Sequence, residues 1–373
     1  MKTLSKKVEE LLIMTKKNYP EKMNAVVAYA PGEYKYETVD TPTIDNPKEI
    51  VVKVEACGIC AGDIKAYDGA PSFWGDETQP SYIKAPMIPG HEFIARIVEK
   101  GDEVTDFEID DRVISEQIVP CWDCRFCNHG QYWMCEKHDL YGFQNNVNGG
   151  MAEYMKFTKE AINYKVPEDM PIEKAILIEP YACSLHAVQR ANVKLGDFVV
   201  LSGAGTLGLG MVGAAKKSGA ETLVVLDMKD DRLELAKKFG ADIVMNPSKV
   251  DVVEEIKALT EGYGCDTYIE ATGHPKSVEQ GLSAIRKLGR FVEFSVFADP
   301  VTVDWSIISD RKELDLMGSH LGPYCYPLVI DGIAKGDFPT DGVVTHQLAL
   351  KDFEEGFELM KKGDQSLKIV LVP

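Results

Sequence analysis

Four cysteines crowd into fifteen residues, Cys121, Cys124, Cys127 and Cys135, with the spacing C-x2-C-x2-C-x7-C. Four soft thiolates from one short loop can close a tetrahedron around Zn²⁺ and leave no open position, which is the pattern of a structural zinc site. An iron–sulfur cluster is the competing reading, because tight cysteine spacings overlap between the two. The whole chain has nine cysteines, an odd number and few for a secreted scaffold of 373 residues. In a reducing compartment such crowding points to metal before disulfide.

A second set of chemically capable residues is scattered: Cys60 in CGICAGD, His91 and Glu92 in PGHE, and Glu179 in IEPYACSLHA. Taken singly, each is ambiguous. A lone cysteine is usually core, a lone histidine is usually a satisfied polar group, and Glu-Pro often only ends an element.

The third motif is Gly203-Ala204-Gly205-Thr206-Leu207-Gly208, a G-x-G-x-x-G run placed after the apolar stretch Phe198 to Leu201 and before a helical pattern. That context matters more than the glycines themselves. Gly203 permits the tight turn, Gly205 lets the backbone approach a pyrophosphate, and Gly208 lets helix and strand pack closely. Thr206 and Leu207 open the helix, whose free N–H groups favour phosphate. Asp227 ends the next strand, 19 residues beyond Gly208. Its carboxylate suits adenosine ribose hydroxyls and repels a 2′-phosphate, so NAD is expected over NADP. Lys229 and Arg232 lie close enough in sequence to soften that preference. An unrelated strand–turn–helix with a capping aspartate is the plain alternative.

The elements that must carry these residues fall into two groups. From Met23 to about Tyr164, short β-runs (NAVVAYA, EIVVKVEACG, EFIARIVEKG, DRVISEQIV, MAEYMKF) are separated by Gly/Pro/Asp turns, which suggests a barrel-like all-β unit. From about Lys194, strands and helices alternate through RFVEFSV, the mark of a doubly wound parallel sheet. After about Gly318 the alternation fades, and the chain ends in a strand-like SLKIVLVP. Two domains also suit a length of 373 residues.

Composition removes other classes. With 41 Lys+Arg against 59 Asp+Glu, the net charge is −18, which repels nucleic-acid backbones and anionic lipid. No apolar run is long enough to span a bilayer. The N-terminal stretch has its apolar part broken by charges and no small-residue cleavage site, so it does not read as a secretory signal. Leu4, Val8, Leu11 and Leu12 fall on one helical face instead, predicting a short amphipathic helix. A cytoplasmic protein is expected, with neither nucleic acid nor membrane as a partner.

The order CGICAGD, GHE, four-cysteine lobe, GGMAEY, EP and GxGxxG resembles the zinc-dependent medium-chain dehydrogenase/reductase family, particularly its sorbitol/polyol branch, from about Met23 to Pro373. The segment DIKAYDGAPSFWGDETQP is similar to that of enzymes acting on erythritol or threitol. The resemblance implies an α/β protein: a GroES-like β-barrel catalytic domain over residues 23–180, a Rossmann domain over 181–318, and a return to the catalytic domain over 319–373, after an N-terminal extension of residues 1–22. It implies two zinc ions per chain. Cys60, His91 and Glu179 would ligate the catalytic one, with Glu92 as an alternating or fourth ligand and Asp63 orienting the His91 imidazole. Three protein ligands leave a position where an alcohol can bind and lose its proton.

One departure stands out. Where the family often has Ser or Thr and then His to pass the alcohol proton outward, this chain has Gly62 and Lys65. That leaves Glu92 and Glu179 as the carriers near the metal. The expected activity is NAD-dependent oxidation of a polyol to a ketose by a homodimer or homotetramer. A threonine-type amino-alcohol dehydrogenase and a non-catalytic NAD-binding protein are the rivals. Cys183 either backs the nicotinamide or is plain core. Tyr67, Trp74, Asp76 and Glu77 either line the substrate mouth or form a solvated loop.

Overall fold

The computed structural model describes residues 19–297 and 300–373. The amphipathic helix expected on Leu4, Val8, Leu11 and Leu12 lies outside them. Among the described residues no helix is long and apolar enough to cross a membrane.

The first body is a seven-stranded sheet in the order Val344–Ala349, Lys368–Val372, Ile50–Gly58, Glu92–Lys100, Arg112–Ser115 and Asn163–Lys165, with Tyr154–Phe157 also paired to Ile50–Gly58. A hairpin of Lys22–Ala30 and Glu33–Asp40 packs beside it. The terminal strand Lys368–Val372 runs antiparallel to Ile50–Gly58, with Val370 opposite Gly58 and Leu371 opposite Cys57. The last residues of the chain therefore stand next to the segment that begins CGICAGD.

The second body is a six-stranded, all-parallel sheet in the order Ile243–Met245, Thr222–Leu226, Phe198–Ser202, Cys265–Glu270, Ile285–Glu293 and Asp315–Gly318. Its central strands are apolar throughout because helices cover both faces. Helices Val252–Leu259 and Pro275–Ala284 pack with the core around Val200, Tyr268 and Phe291, while Val199, Leu201 and Ile269 face the other side. The alternation read from sequence holds, but the stretch SVEQGLSAIRKLG divides: its helix ends at Ala284 and a strand starts at Ile285.

The helix Ile178–Arg190 joins the two bodies. One continuous core contains Ala56, Ile94 and Ile114 of the first sheet, Tyr181 and Ala187 of this helix, and Val199 and Leu201 of the second. A glycine lets the glycine-loop helix, Thr206–Lys217, approach it: a Cβ on Gly210 would lie 2.6 Å from the Tyr181 ring. Ser184 Oγ then donates to Leu207 O at 2.7 Å. The helix that carries Glu179 is thus locked to the helix that opens the glycine loop. The segment after Gly318 does not return as one piece. Its helix Tyr326–Lys335 places Tyr326, Val329 and Ile333 in this shared core, and only Val344–Ala349 and Lys368–Val372 join the first sheet.

Candidate active site and metal centres

Cys60 stands at the end of strand Ile50–Gly58 and caps the helix Ala61–Tyr67. Asp63 bends back so that its carboxylate accepts the Cys60 N–H at 2.8 Å, while the Cys60 sulfur accepts from Gly62 N at 3.4 Å. This capping box fixes the thiol at the N-terminus of the helix. His91 and Glu92 open the neighbouring strand, and the register of the pair sets Glu92 opposite Gly58. The Cys60 sulfur, a His91 ring nitrogen and a Glu92 oxygen lie within 4.8 Å of one another.

Glu179, in the first turn of Ile178–Arg190, is buried beside this trio but outside it. Its carboxylate accepts from Gln117 Nε2, and the Cys183 thiol points at the same oxygen from 3.4 Å. Tyr326 OH donates to Gln117 Oε1 at 2.7 Å, completing a buried chain from Tyr326 to Glu179. Cys183 therefore backs Glu179.

Electrostatically the site has a surplus of anions. Burial opposes a charge on His91, yet Asp63, Cys60 and Glu179 around the ring raise it well above the ordinary imidazole value. Burial, and next the charge of Glu92, push Glu179 up to about 7. The buried cation offsetting them is Lys368, whose ammonium is 2.5 Å from Glu92 Oε2. Asp63 faces both neighbours: its Oδ2 accepts the Cys60 N–H, and its Oδ1 stands 3.6 Å from His91 Nδ1, longer than a hydrogen bond. His91 Nδ1 is left buried without a partner. An imidazole, a thiol and a carboxylate whose ligand atoms lie within 4.8 Å of one another fit a divalent cation of zinc type.

The four cysteines of the lobe converge as their spacing predicts, with all four sulfurs within 4.8 Å. Cys124 and Cys127 sulfurs are 3.5 Å apart, and backbone N–H groups of Cys121 and Cys124 point at the sulfurs of Cys135 and Cys121 from 3.3 Å. Backbone N–H groups lower the Cys124 thiol to about 6, which suits a thiolate ligand. No disulfide joins any of the nine cysteines.

At the glycine loop, a Cβ on Gly208 would fall 1.9 Å from Gly203 O, and Gly203 adopts φ +107°, where a Cβ would fall 2.8 Å from Ala271 O. Both glycines are demanded by the fold itself. Gly205 is different: a Cβ there would meet nothing within 4 Å, and as the N-cap of Thr206–Lys217 it leaves the helix end without a side-chain cap. That open, uncapped N-terminus fits a pyrophosphate. Asp227 accepts from Ala204 N at 2.8 Å and from Lys229 N at 2.9 Å, so it also braces the loop. Arg232 and Lys229 donate to Ser366 O and Gly363 O of the chain's last segment. Their reach across to that segment was invisible to local sequence.

Of the residues offered for the substrate mouth, Tyr67 turns inward against Tyr34 and Phe357 at 5.0 and 5.2 Å. Asp76 caps a turn by accepting from Thr78 N and Gln79 N, Glu77 is exposed, and the Trp74 indole donates to Ala66 O. The rings that do flank the metal trio are Phe143, 5.3 Å from His91, and Phe73, stacked on Phe143 at 5.4 Å. Lys65 reaches across to Val296 O at 2.5 Å. Sequence reasoning missed Gln117, Tyr326 and Lys368. Only Lys368 left a signal, as a charge in the otherwise apolar strand KIVLV.

Comparison with known proteins places these features in a known setting. Residues 46–168 match the model for an alcohol dehydrogenase GroES-like domain, and residues 206–335 match that for a zinc-binding dehydrogenase. The chain is 50% identical to an erythritol/L-threitol dehydrogenase of Mycolicibacterium smegmatis, over 95% of this chain and 98% of that one. It is 36% identical to the L-threonine 3-dehydrogenase of Pyrococcus horikoshii, over 92% and 97%. Among solved structures, a zinc-binding dehydrogenase from Sinorhizobium meliloti bound to NADP superposes with a TM-score of 0.84 at 26% identity, covering 95% of this chain and all of that one.

Proposed function

Because this chain belongs to the zinc-dependent alcohol and polyol dehydrogenase family, we propose that it oxidises a secondary hydroxyl of a four-carbon polyol, erythritol or threitol, to a ketose with NAD. The observation that carries this reading is the anion-rich cluster of Cys60, His91 and Glu92, flanked by Glu179, on a helix pinned to the glycine loop. The 50% identical relative supports the four-carbon substrate.

Cys60 and His91 would hold the catalytic zinc, with Glu179 and Glu92 supplying the carboxylates. When bound there, zinc acidifies the alcohol hydroxyl and polarises its oxygen. The chain's own groups do the rest. Gly205 and the N-terminus of Thr206–Lys217 anchor the cofactor phosphates, and the Leu207–Ser184 bond holds that helix against the one bearing Glu179. A nicotinamide held there would supply the acceptor for the carbinol hydride, and the hydroxyl proton would leave through a neighbouring base. Gly62 offers no hydroxyl for that proton, and Lys65 is engaged by Val296 O. Glu92 and Glu179 are the carboxylates at hand. Ligation by Glu92 has to compete with Lys368, which favours an alternating role over a permanent one.

The four-cysteine lobe supports a second, structural zinc. Asp227 supports NAD over NADP, since a 2′-phosphate would meet a carboxylate. The absence of disulfides among nine cysteines supports a reducing, cytoplasmic setting. The strand Asp315–Gly318 at the edge of the parallel sheet, with Leu316 and Trp305 exposed at 41% and 70%, supports a homodimer or a tetramer built on it. The deciding experiment follows NADH absorbance with four- to six-carbon polyols, L-threonine and simple alcohols. Preferential turnover of a tetritol supports the reading. Preference for L-threonine replaces it with the amino-alcohol activity, and no turnover of any of them overturns it.

A further inference from the structure

A groove of about 800 Å³ opens on the first body, and none of Cys60, His91, Glu92 and Glu179 lines it. One wall is a single face of the hairpin Lys22–Ala30 and Glu33–Asp40, because alternate residues of paired strands point the same way. Met23, Val27 and Tyr29 come from its first strand, and Glu37 and Val39 from its second. Met87, which pairs with Ala28 of the hairpin, adds to the apolar lining with Ile88 and Met155. The polar part of the lining is acidic. Glu21, Glu37, Asp40 and Asp45 stand against one ammonium, Lys156, which Asp45 and Glu49 hold at 2.8 and 3.3 Å.

The described chain begins in the wall of this groove. Tyr19 is 7% exposed, lines the groove, packs on Tyr154 at 5.6 Å and donates to Glu99. Two residues on, Glu21 O accepts from Thr41 N at 3.0 Å, which ties the chain to the far end of the hairpin. Residues 1–18 therefore set out from the groove itself. Leu12 precedes Tyr19 by seven residues, so it lies within about 25 Å of it however extended the chain between them. A tether that short keeps the segment beside the groove at a local concentration on the order of millimolar.

The sequence of the segment complements the groove twice over. Leu4, Val8, Leu11 and Leu12 share one helical face, and at about 3.6 residues per turn Lys7 and Lys16 flank that face on its two sides. Residues 1–18 also carry five lysines against two glutamates, in a chain whose net charge is −18. An apolar stripe edged by ammonium groups fits an apolar floor edged by carboxylates. The groove matters to the metal site through its floor. Met87 and Ile88 run directly into Pro89, Gly90 and His91. Ile88 N donates at 2.8 Å to Asn148 Oδ1, and Asn148 lines the groove too. Whatever fills the groove braces the run that ends at His91.

We propose that residues 1–18 dock in this groove as an amphipathic helix, with Leu4, Val8, Leu11 and Leu12 inward and Lys7 and Lys16 against the carboxylates, as an intramolecular strap on the run that leads to His91.

The test puts the photo-crosslinker benzoylphenylalanine in place of Leu11 in the full-length chain. Its excited carbonyl reacts preferentially beside methionine sulfur, and the groove is lined by Met23, Met87 and Met155. Peptide mapping by mass spectrometry should find position 11 joined to one or more of these methionines within one chain, with a yield unchanged on about tenfold dilution. Adding Leu12→Asp carries a charge onto the apolar floor and should cut that yield about tenfold or more. Lys6→Gln, on the opposite face of the helix, should leave it within about twofold. Crosslinks that join two chains and fade on dilution would seat the segment on a second copy and overturn the strap. Crosslinks elsewhere on the chain, none at all, or a yield indifferent to Leu12→Asp overturn it as well.

Discussion

Lys368 and Glu92, 276 residues apart in sequence, form an ion pair with both side chains 3% exposed. The ammonium also donates to Ile59 O at 3.0 Å. The chain's terminal strand thereby sets the position of a carboxylate in the metal cluster. Taking away one partner of a buried pair leaves an uncompensated charge, which costs more than the pair itself contributes. Lys368→Met should destabilise the protein by about 3–5 kcal/mol, and adding Glu92→Gln should recover much of that loss. Urea unfolding of the single and double variants checks it; a double variant no more stable than Lys368→Met would contradict the coupling.

The four cysteines and the Cys60–His91–Glu92 trio form separate ligand groups, and the zinc proposed for the lobe would serve stability. Wild-type protein should contain about two zinc ions per chain and Cys124→Ser about one. Thermal stability should fall, while hydride transfer per catalytic zinc changes only secondarily. Visible charge-transfer absorption in the wild-type protein would instead identify an iron–sulfur cluster.

Both Asp227 oxygens already accept backbone N–H groups, which fixes the carboxylate at the end of its strand. Lys229 and Arg232 are committed to Gly363 and Ser366. NAD should therefore exceed NADP in kcat/KM by more than about tenfold, the equivalent of about 1.4 kcal/mol. Asp227→Ser should narrow the gap. Equal efficiency in the wild-type enzyme would show that Lys229 or Arg232 turns to the phosphate.

Lys65 occupies a relay position yet donates to Val296 O, and burial lowers its affinity for a proton. Lys65→Ala should leave the acidic limb of the kcat–pH profile in place. Glu92→Gln should lower kcat and move that limb, with zinc content measured first because Glu92 is also a ligand candidate. Abolished turnover in Lys65→Ala with zinc and NAD still bound would assign the proton to the lysine.

Glu116 is buried under two tyrosines, whose hydroxyls donate to it at 2.9 and 2.8 Å. Burial dominates and pushes its carboxyl up to about 7. A carboxyl raised above its unfolded value holds a proton in the native state that the unfolded chain releases, so stability declines as pH rises between the two values. The decline should amount to about 2–3 kcal/mol between pH 4.5 and 7 from this group. Glu116→Gln should therefore raise the melting temperature more at pH 8 than at pH 5. A uniform shift at both pH values would show that the carboxyl ionises freely.

The cysteine lobe and the glycine loop were legible in sequence because each is local: within fifteen and six residues the chain supplies every group the chemistry needs. The strand–helix alternation was legible for the same reason, since burial on both faces imposes an apolar pattern on each strand. Cys60, His91 and Glu179 became readable only as an ordered set, because nothing in a single Cys, His or Glu marks a ligand. The partners of those residues left almost no trace. Gln117 and Tyr326 are ordinary residues until the helix Tyr326–Lys335 packs on Ile178–Arg190 and brings the hydroxyl to the amide. The Lys368–Glu92 and His138–His320 pairs likewise required strand pairing and body-to-body packing across the length of the chain. Local spacing determined which chemical groups this protein carries. Which of them touch was decided by tertiary structure, because buried charges and imidazoles take the partners that long-range packing brings within hydrogen-bond reach.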